Sequence, residues 1–123
     1  MSSQAIEALY ATGHWLLSNA RHKEAAEVFR VMALSKPDDE RAWLALGACH
    51  EAIGQKRLAI ELYAIASEAA APAVRCAIAR GRALRALDRT NEADDAFESA
   101  YELATTVGDP ELAELALQER RAS

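Results

Sequence analysis

The chain of 123 residues contains few of the side chains that favour β-sheets. Val, Ile and Thr together number 13, against 29 alanines. Because β-branched residues favour strands and Ala is the strongest helix former, this composition predicts an all-α fold. Apolar residues make up 51% of the chain, which is enough for a packed core and excludes a wholly disordered chain. The length suits one domain.

Cysteine is scarce, and long apolar runs are missing. Cys49 and Cys76 are too few for a disulfide scaffold, so we expect two free thiols, buried as small apolar residues. No apolar run approaches the ~20 residues that span a bilayer, which argues against stable membrane insertion. The first residues show no basic segment followed by an apolar one, as a secretory signal would. The expected location is therefore a reducing cytoplasm.

An excess of positive charge is also missing. The 14 basic and 19 acidic residues give a net charge of −5. A nucleic-acid-binding protein usually carries a basic surface that neutralises phosphates. We therefore expect no nucleic-acid partner.

Combinations of residues typical of catalysis or metal binding are absent from the sequence. His14, His22 and His50 fall in different predicted helices, and none has a second ligand at metal-binding spacing. Cys49 and His50 are adjacent, so on a helix they point about 100° apart and cannot form a thiolate–imidazole pair. The sequence has no glycine-rich phosphate loop and no G-x-S-x-G motif. We expect no metal, no cofactor and no enzymatic activity.

The sequence contains an internal repeat in which equivalent residues recur with a step of 34 positions. Four columns keep their residue type along it: Gly13, Gly47 and Gly81; Ala25, Ala59 and Ala93; Phe29, Tyr63 and Phe97; Met32, Ala66 and Ala100. The step predicts three repeats, at 6–39, 40–73 and 74–107. Turn and capping signals between them predict helices at 4–18, 22–35, 39–53, 56–70, 73–87, 90–105 and 110–121.

The period and the columns resemble the tetratricopeptide repeat (TPR), a helix-turn-helix unit. Residues 40–73 fit its pattern best, with Trp43, Leu46, Gly47, Ala59, Tyr63 and Ala66 in place. The resemblance implies a right-handed α-solenoid, with 1–123 as a single TPR domain. It also implies that the Gly and Ala columns let the two helices of a repeat approach closely. The aromatic column should fill the space between one repeat and the next.

The last predicted helix differs from the repeats. Leu112, Leu115 and Ala116 share one face, and charged residues follow them. A repeat array needs an end with a polar outer face, so we interpret 109–121 as a capping helix. Asp109 followed by Pro110 predicts an N-cap with Pro at the first helical position.

TPR proteins bind ligands in a concave groove lined by the first helix of each repeat, and four positions per helix face it. From these positions we select nine candidates for a peptide-binding groove: Tyr10, His14, Leu17, Leu44, Ala48, Glu51, Arg75, Ile78 and Arg82. Each set lies on one helical stripe, apolar in the middle and charged at its flanks. Such a groove suits an extended peptide with two or three apolar anchors.

Other readings of the same stripe stay open. The apolar positions also suit ordinary packing, or the buried half of a self-association surface that would make the chain a homodimer. Arg75, Arg82 and Arg85 suit either the acidic groups of a partner or the acidic sixth helix, which carries Glu92 and Asp94 near its start.

The residues at these positions argue against one TPR subclass. Co-chaperones that hold the C-terminal carboxylate of heat-shock chaperones use a clamp of Lys, Asn and Arg. The corresponding residues here are Tyr10, His14, Ala45, Arg75 and Ala79, of which only Arg75 is basic. The carboxylate clamp is essentially absent.

A second resemblance is closer. The segment from Leu46 to Gln55, which reads L-G-A-C-H-E-A-I-G-Q, looks like the class II chaperones of bacterial type III secretion. So do the stretches 8–11, 23–29 and 58–63. Members of that family are small, acidic, cytoplasmic proteins of three TPRs that act in virulence.

This resemblance implies a function and a partner. It implies that the chain binds a hydrophobic translocator subunit, the pore-forming cargo of the system, and keeps it soluble before export. The groove would hold a short extended segment of the translocator, with Tyr10 matching a groove tyrosine of the family and Leu44 at a neighbouring position. The alternatives are a chaperone of a different type III substrate and a small TPR scaffold or adaptor.

Overall fold

A computed structural model describes residues 1–122, and within that range the chain forms seven α-helices and no β-strand. The helices are α1 (Ser3–Ser18), α2 (His22–Ser35), α3 (Glu40–Ala52), α4 (Lys56–Ala69), α5 (Val74–Ala86), α6 (Thr90–Val107) and α7 (Pro110–Arg121). The predicted all-α fold is confirmed. Each helix begins and ends within one residue of its predicted bounds, except α6, which continues two residues further.

The longer α6 has a local cause. The hydroxyl groups of Thr105 and Thr106 donate to the carbonyl oxygens of Tyr101 and Glu102, one turn earlier in the helix. These bonds keep the two hydroxyl groups paired inside the helix, but bonding of this kind does not strengthen a helix, and the end of α6 is set by the residue that follows it. Gly108 then ends α6 in the left-handed conformation, with φ of 76°, which glycine adopts without steric cost.

The helices pack in two layers. Each helix packs on the next one along the chain, and in addition α3 contacts α5 and α5 contacts α7. Arg41 of α3 also forms an ion pair with Glu7 of α1, at 2.7 Å. The odd-numbered helices therefore lie side by side as an inner layer, with α2, α4 and α6 outside them. Helices α1–α2, α3–α4 and α5–α6 correspond to the three predicted repeats.

Glycine sits under an aromatic ring in every helix pair. A Cβ atom on Gly81 would come 2.5 Å from Cε1 of Phe97, and Gly13 and Gly47 would meet Phe29 and Tyr63 still more closely. Both residues of each pair belong to the same repeat. The expectation that the ring fills the space between successive repeats is therefore incomplete, since its nearest neighbour is the glycine of its own repeat. The ring occupies the volume that a side chain on the first helix would need.

The rest of the core is built from small residues around these rings. Ala25, Ala59 and Ala93 are 0% exposed, as are Phe29 and Phe97. Both cysteines are buried with free thiols, as predicted, and burial raises the pKa of Cys49 to about 11. Within residues 1–122, no helix combines the length and apolar character that a membrane span requires.

Aspartate side chains cap two of the inner helices, and the cap at Asp109 is the one that the sequence predicted. Asp39 caps α3 by accepting a hydrogen bond from the backbone N–H of Arg41, at 3.1 Å. Asp109 caps α7 by accepting from the backbone N–H of Leu112, also at 3.1 Å, with Pro110 at the first helical position. These caps fix where the inner helices α3 and α7 begin.

The glycine–ring contact makes an unusual mutational prediction. Gly81→Ala should destabilise the chain by about 1–2 kcal/mol, because overpacking costs about 1–3 kcal/mol and outweighs the ~1 kcal/mol gained in helix propensity. Urea unfolding followed by circular dichroism measures the difference.

The matched control is the same substitution in a Phe97→Leu background. Leucine leaves room for the methyl group, so Gly81→Ala should there cost at least about 1 kcal/mol less. Additive effects of the two substitutions, or a more stable Gly81→Ala chain, would show that the ring does not exclude a side chain at this position.

Candidate peptide-binding groove

Two adjoining cavities run along the inner layer. The first, of about 510 Å³, is lined by Tyr10, His14, Leu17, Glu40, Arg41, Leu44, Ala45, Ala48 and Arg75. The second, of about 250 Å³, is lined by Leu44, Arg75, Ile78, Ala79, Arg82, Leu112 and Leu115. Leu44 and Arg75 line both, so the two cavities form one continuous inner groove that extends from α1 to α7.

An aromatic wall closes the α1 end of the inner groove. The rings of Tyr10 and His14 meet edge to face, with centroids 4.5 Å apart. Both also contact Phe29, at 5.5 Å from His14 and 6.2 Å from Tyr10. Because Phe29 is held against Gly13, the packing inside the first repeat sets the position of the wall. Edge-to-face contacts of this kind are typical of well-ordered aromatic clusters.

Arg41 supports the same wall from the next helix pair. Its guanidinium donates to Glu7 at 2.7 Å and to Asp39 at 2.8 Å, and lies 4.4 Å from the centroid of the Tyr10 ring. The hydrogen bonds from Arg41 hold the pKa values of Glu7 and Asp39 below their usual range. The charge of Arg41 is therefore balanced within the chain, and its plane acts as a support for Tyr10.

The α7 end is held by a second ionic cluster. Glu119 of α7 pairs with Arg82 at 3.2 Å and with Arg85 at 2.7 Å, and its backbone carbonyl accepts from Arg85 at 2.8 Å. Burial raises the pKa of Glu119, but the hydrogen bonds from Arg82 and Arg85 outweigh it, so the net shift is downward.

This cluster corrects one expectation about the arginines of α5. Arg82 and Arg85 form ion pairs with Glu119 of the capping helix, and the Arg85 guanidinium also lies 5.2 Å from the centroid of the Phe97 ring in α6. The acidic start of α6 has a local partner instead, since Glu92 pairs with Arg89 at 2.7 Å. Net charge along the sequence did not reveal which helices meet.

Eight of the nine predicted groove residues line the inner groove. Tyr10, His14, Leu17, Leu44, Ala48 and Arg75 lie in the first cavity, and Ile78 and Arg82 in the second. Glu51 is held by α4 instead: its carboxylate accepts from the Tyr63 hydroxyl at 2.6 Å and pairs with Lys56 at 3.1 Å. Its position at the end of α3 brings it against the second helix of its own repeat.

Several lining residues were not selected from the sequence. Glu40, Arg41 and Ala45 belong to the first cavity, and Ala79, Leu112 and Leu115 to the second. Arg41 stands at one of the groove-facing positions of the repeat, which was a usable signal. For Leu112 and Leu115 the sequence predicts only that they share one face of the capping helix, because helical periodicity defines a face without naming what lies opposite.

A third cavity, of about 560 Å³, lies between α2 and the end of α3 and shares no lining residue with the inner groove. Five of its eight lining residues are polar or charged, namely Lys23, Glu27, Arg30, His50 and Gln55, and the others are Ala26, Val31 and Ile53. The inner groove offers more apolar side chains and is therefore the better candidate for apolar anchors.

Comparison with known proteins places the chain. No family model matches it. Over 63 residues it is 35% identical to the low calcium response locus protein H of Yersinia pestis; the match covers 51% of this chain but only 38% of that protein. A type III secretion complex from Aeromonas hydrophila has a TM-score of 0.84 at 30% identity, covering 98% of this chain and 81% of that one.

The type III secretion translocator chaperone SycD of Yersinia enterocolitica has a TM-score of 0.88 at 26% identity, covering 99% of this chain and 92% of SycD. The structure of SycD in complex with a peptide of the translocator YopD has a TM-score of 0.82 at 27% identity, and the match covers 98% of this chain and 93% of SycD. SycD is also described as an alternative dimer. The chain belongs to this family of type III secretion translocator chaperones.

The Glu119 cluster predicts how α7 is held. Glu119→Gln should destabilise the chain at pH 7 by about 1 kcal/mol, since it removes charge-assisted bonds that are partly exposed. The pKa of Glu119 is lowered in the folded chain, so its stabilisation is complete above the ordinary glutamate pKa of about 4.3. As pH falls through the lowered pKa, the difference between wild type and variant should disappear.

Urea unfolding at a series of pH values between 7 and 3 measures this difference. Glu114→Gln, a change of the same kind on the exposed side of α7, is the control and should have little effect. A Glu119→Gln chain as stable as wild type at pH 7 would contradict the proposed tie between α5 and α7.

Proposed function

We propose that the chain binds a hydrophobic translocator subunit of a bacterial type III secretion system and keeps it soluble before export. An extended segment of the translocator would lie in the inner groove. The observation that carries the proposal is the continuous groove across α1, α3, α5 and α7, with apolar side chains in both of its cavities. The complex of the family member SycD with a translocator peptide supports this proposal.

The groove provides two places for apolar anchors. Tyr10, Leu17 and Leu44 supply apolar surface in the first cavity, and Ile78, Leu112 and Leu115 supply it in the second. Each filled cavity would contribute about 1.5–3 kcal/mol from burial, less the cost of ordering the peptide. Two anchors separated along the chain favour an extended segment over a single inserted helix, whose anchors recur every turn.

The chain would act by binding and not by catalysis, in the bacterial cytoplasm, where cargo waits for export. The SycD dimer supports the proposal that the chain also forms a homodimer. A small TPR scaffold is the alternative, and the exposed side chains of Val31, Leu34 and Leu58 on the outer helices are the surface that it would use.

The test is co-expression with a hydrophobic translocator encoded beside the gene of this chain. The wild-type chain should yield a soluble complex. Tyr10→Ala combined with Leu44→Glu should abolish it, because the pair removes the aromatic wall and puts a charge where the two cavities meet. Size-exclusion chromatography of the soluble fraction measures the complex, and circular dichroism verifies that the variant remains helical.

The control makes the same two changes outside the groove, as Tyr101→Ala with Leu58→Glu. Tyr101 and Leu58 are each 40% exposed on outer helices. The control should keep the complex. If the groove variant binds normally and the outer variant does not, the scaffold alternative is favoured and the groove assignment is wrong.

A further inference from the structure

We propose that Arg75 makes the inner groove selective for a segment that carries an acidic side chain between its two apolar anchors. This inference rests on the proposed function, because it names the chemistry of the segment that the groove would take. It concerns one residue, which lies where the two cavities join.

The position of Arg75 is the first observation. Arg75 and Leu44 line both cavities, so a segment that fills both must pass them. The start of α5 is fixed here, because the backbone N–H of Cys76 donates to Oε2 of Glu40 at 2.9 Å. The backbone that carries Arg75 is therefore anchored to α3, while its side chain is exposed.

The charge around the groove is the second observation. Arg41 is paired with Glu7 and Asp39, and Arg82 with Glu119. Within residues 1–122, Arg75 forms no ion pair, and its side chain makes no hydrogen bond. Glu40 lies in the same cavity, but its carboxylate is engaged by the Cys76 amide and lies beyond ion-pair distance of Arg75. The Arg75 guanidinium is therefore a cation in the groove with which an acidic group of a ligand is able to pair.

The negative charge of the rest of the chain confines the attraction for an acidic side chain to the region of Arg75. The net charge of −5 is spread over the three repeats and the tail, so an acidic segment is disfavoured over most of the surface. At Arg75 the same acidic side chain gains a guanidinium partner between two apolar cavities, where water is partly displaced. A basic residue in that place would face an unpaired like charge. Such pairs set specificity more than raw affinity.

Peptide selection tests this without knowledge of the natural cargo. The probe is a library of random twelve-residue peptides displayed on phage and panned in parallel against four full-length proteins. These are wild type, Arg75→Glu, Arg57→Glu and the Tyr10→Ala/Leu44→Glu variant. Arg57 is an exposed arginine of α4 outside both cavities, so it matches the charge change of Arg75 without its position.

Wild type and Arg57→Glu should enrich peptides with Asp or Glu between two apolar residues, and Arg75→Glu should enrich Lys or Arg there instead. For a selected peptide, fluorescence anisotropy should show about tenfold weaker binding to Arg75→Glu than to wild type. Changing the peptide's acidic residue to lysine should recover most of that loss. The preference should weaken as salt is raised.

Two other outcomes separate this inference from the proposed function. Enrichment of apolar anchors that needs Tyr10 and Leu44 but shows no acidic preference would overturn the role of Arg75 and leave the groove function standing. Peptides that bind the Tyr10→Ala/Leu44→Glu variant as well as wild type would overturn both.

Discussion

The close approach of a glycine to an aromatic ring inside each helix pair is the constraint on which the rest of the structure depends. At 13, 47 and 81 the first helix has no side chain, and the ring of the second helix takes that space. Helices that approach so closely bury their alanine faces completely, as at Ala25, Ala59 and Ala93. The 34-residue step then repeats one packing geometry, and its repetition places α1, α3 and α5 side by side.

The inner groove follows from that arrangement. Phe29, which packs on Gly13, contacts the rings of Tyr10 and His14, while the guanidinium of Arg41 in α3 packs on the Tyr10 ring. At the other end Glu119 ties α7 to α5, so the capping helix supplies Leu112 and Leu115 as a groove wall. The ionic groups at both ends are paired within the chain. They hold the groove in shape before a ligand arrives, which lowers the ordering cost of binding.

The sequence predicted the features that depend on local pattern. Helix bounds came from turn and capping signals such as Asp109, whose hydrogen bond lies within one helical turn. All nine groove candidates stand at equivalent positions of the repeat, and eight of them line the inner groove. The contacts that the sequence did not predict join side chains of different helices. Arg82 and Glu119 are 37 residues apart, and Glu51 meets Tyr63 across a turn, so periodicity alone could not pair them.

Hydrogen exchange of the chain, alone and in complex with a hydrophobic translocator, tests the central claim most directly, because it reports which layer of helices the cargo covers. The account predicts that amides of α1, α3 and α5 gain protection in the complex, most of all around Tyr10, Leu44 and Arg75. Protection confined to α2, α4 and α6, with the inner helices unchanged, would contradict it.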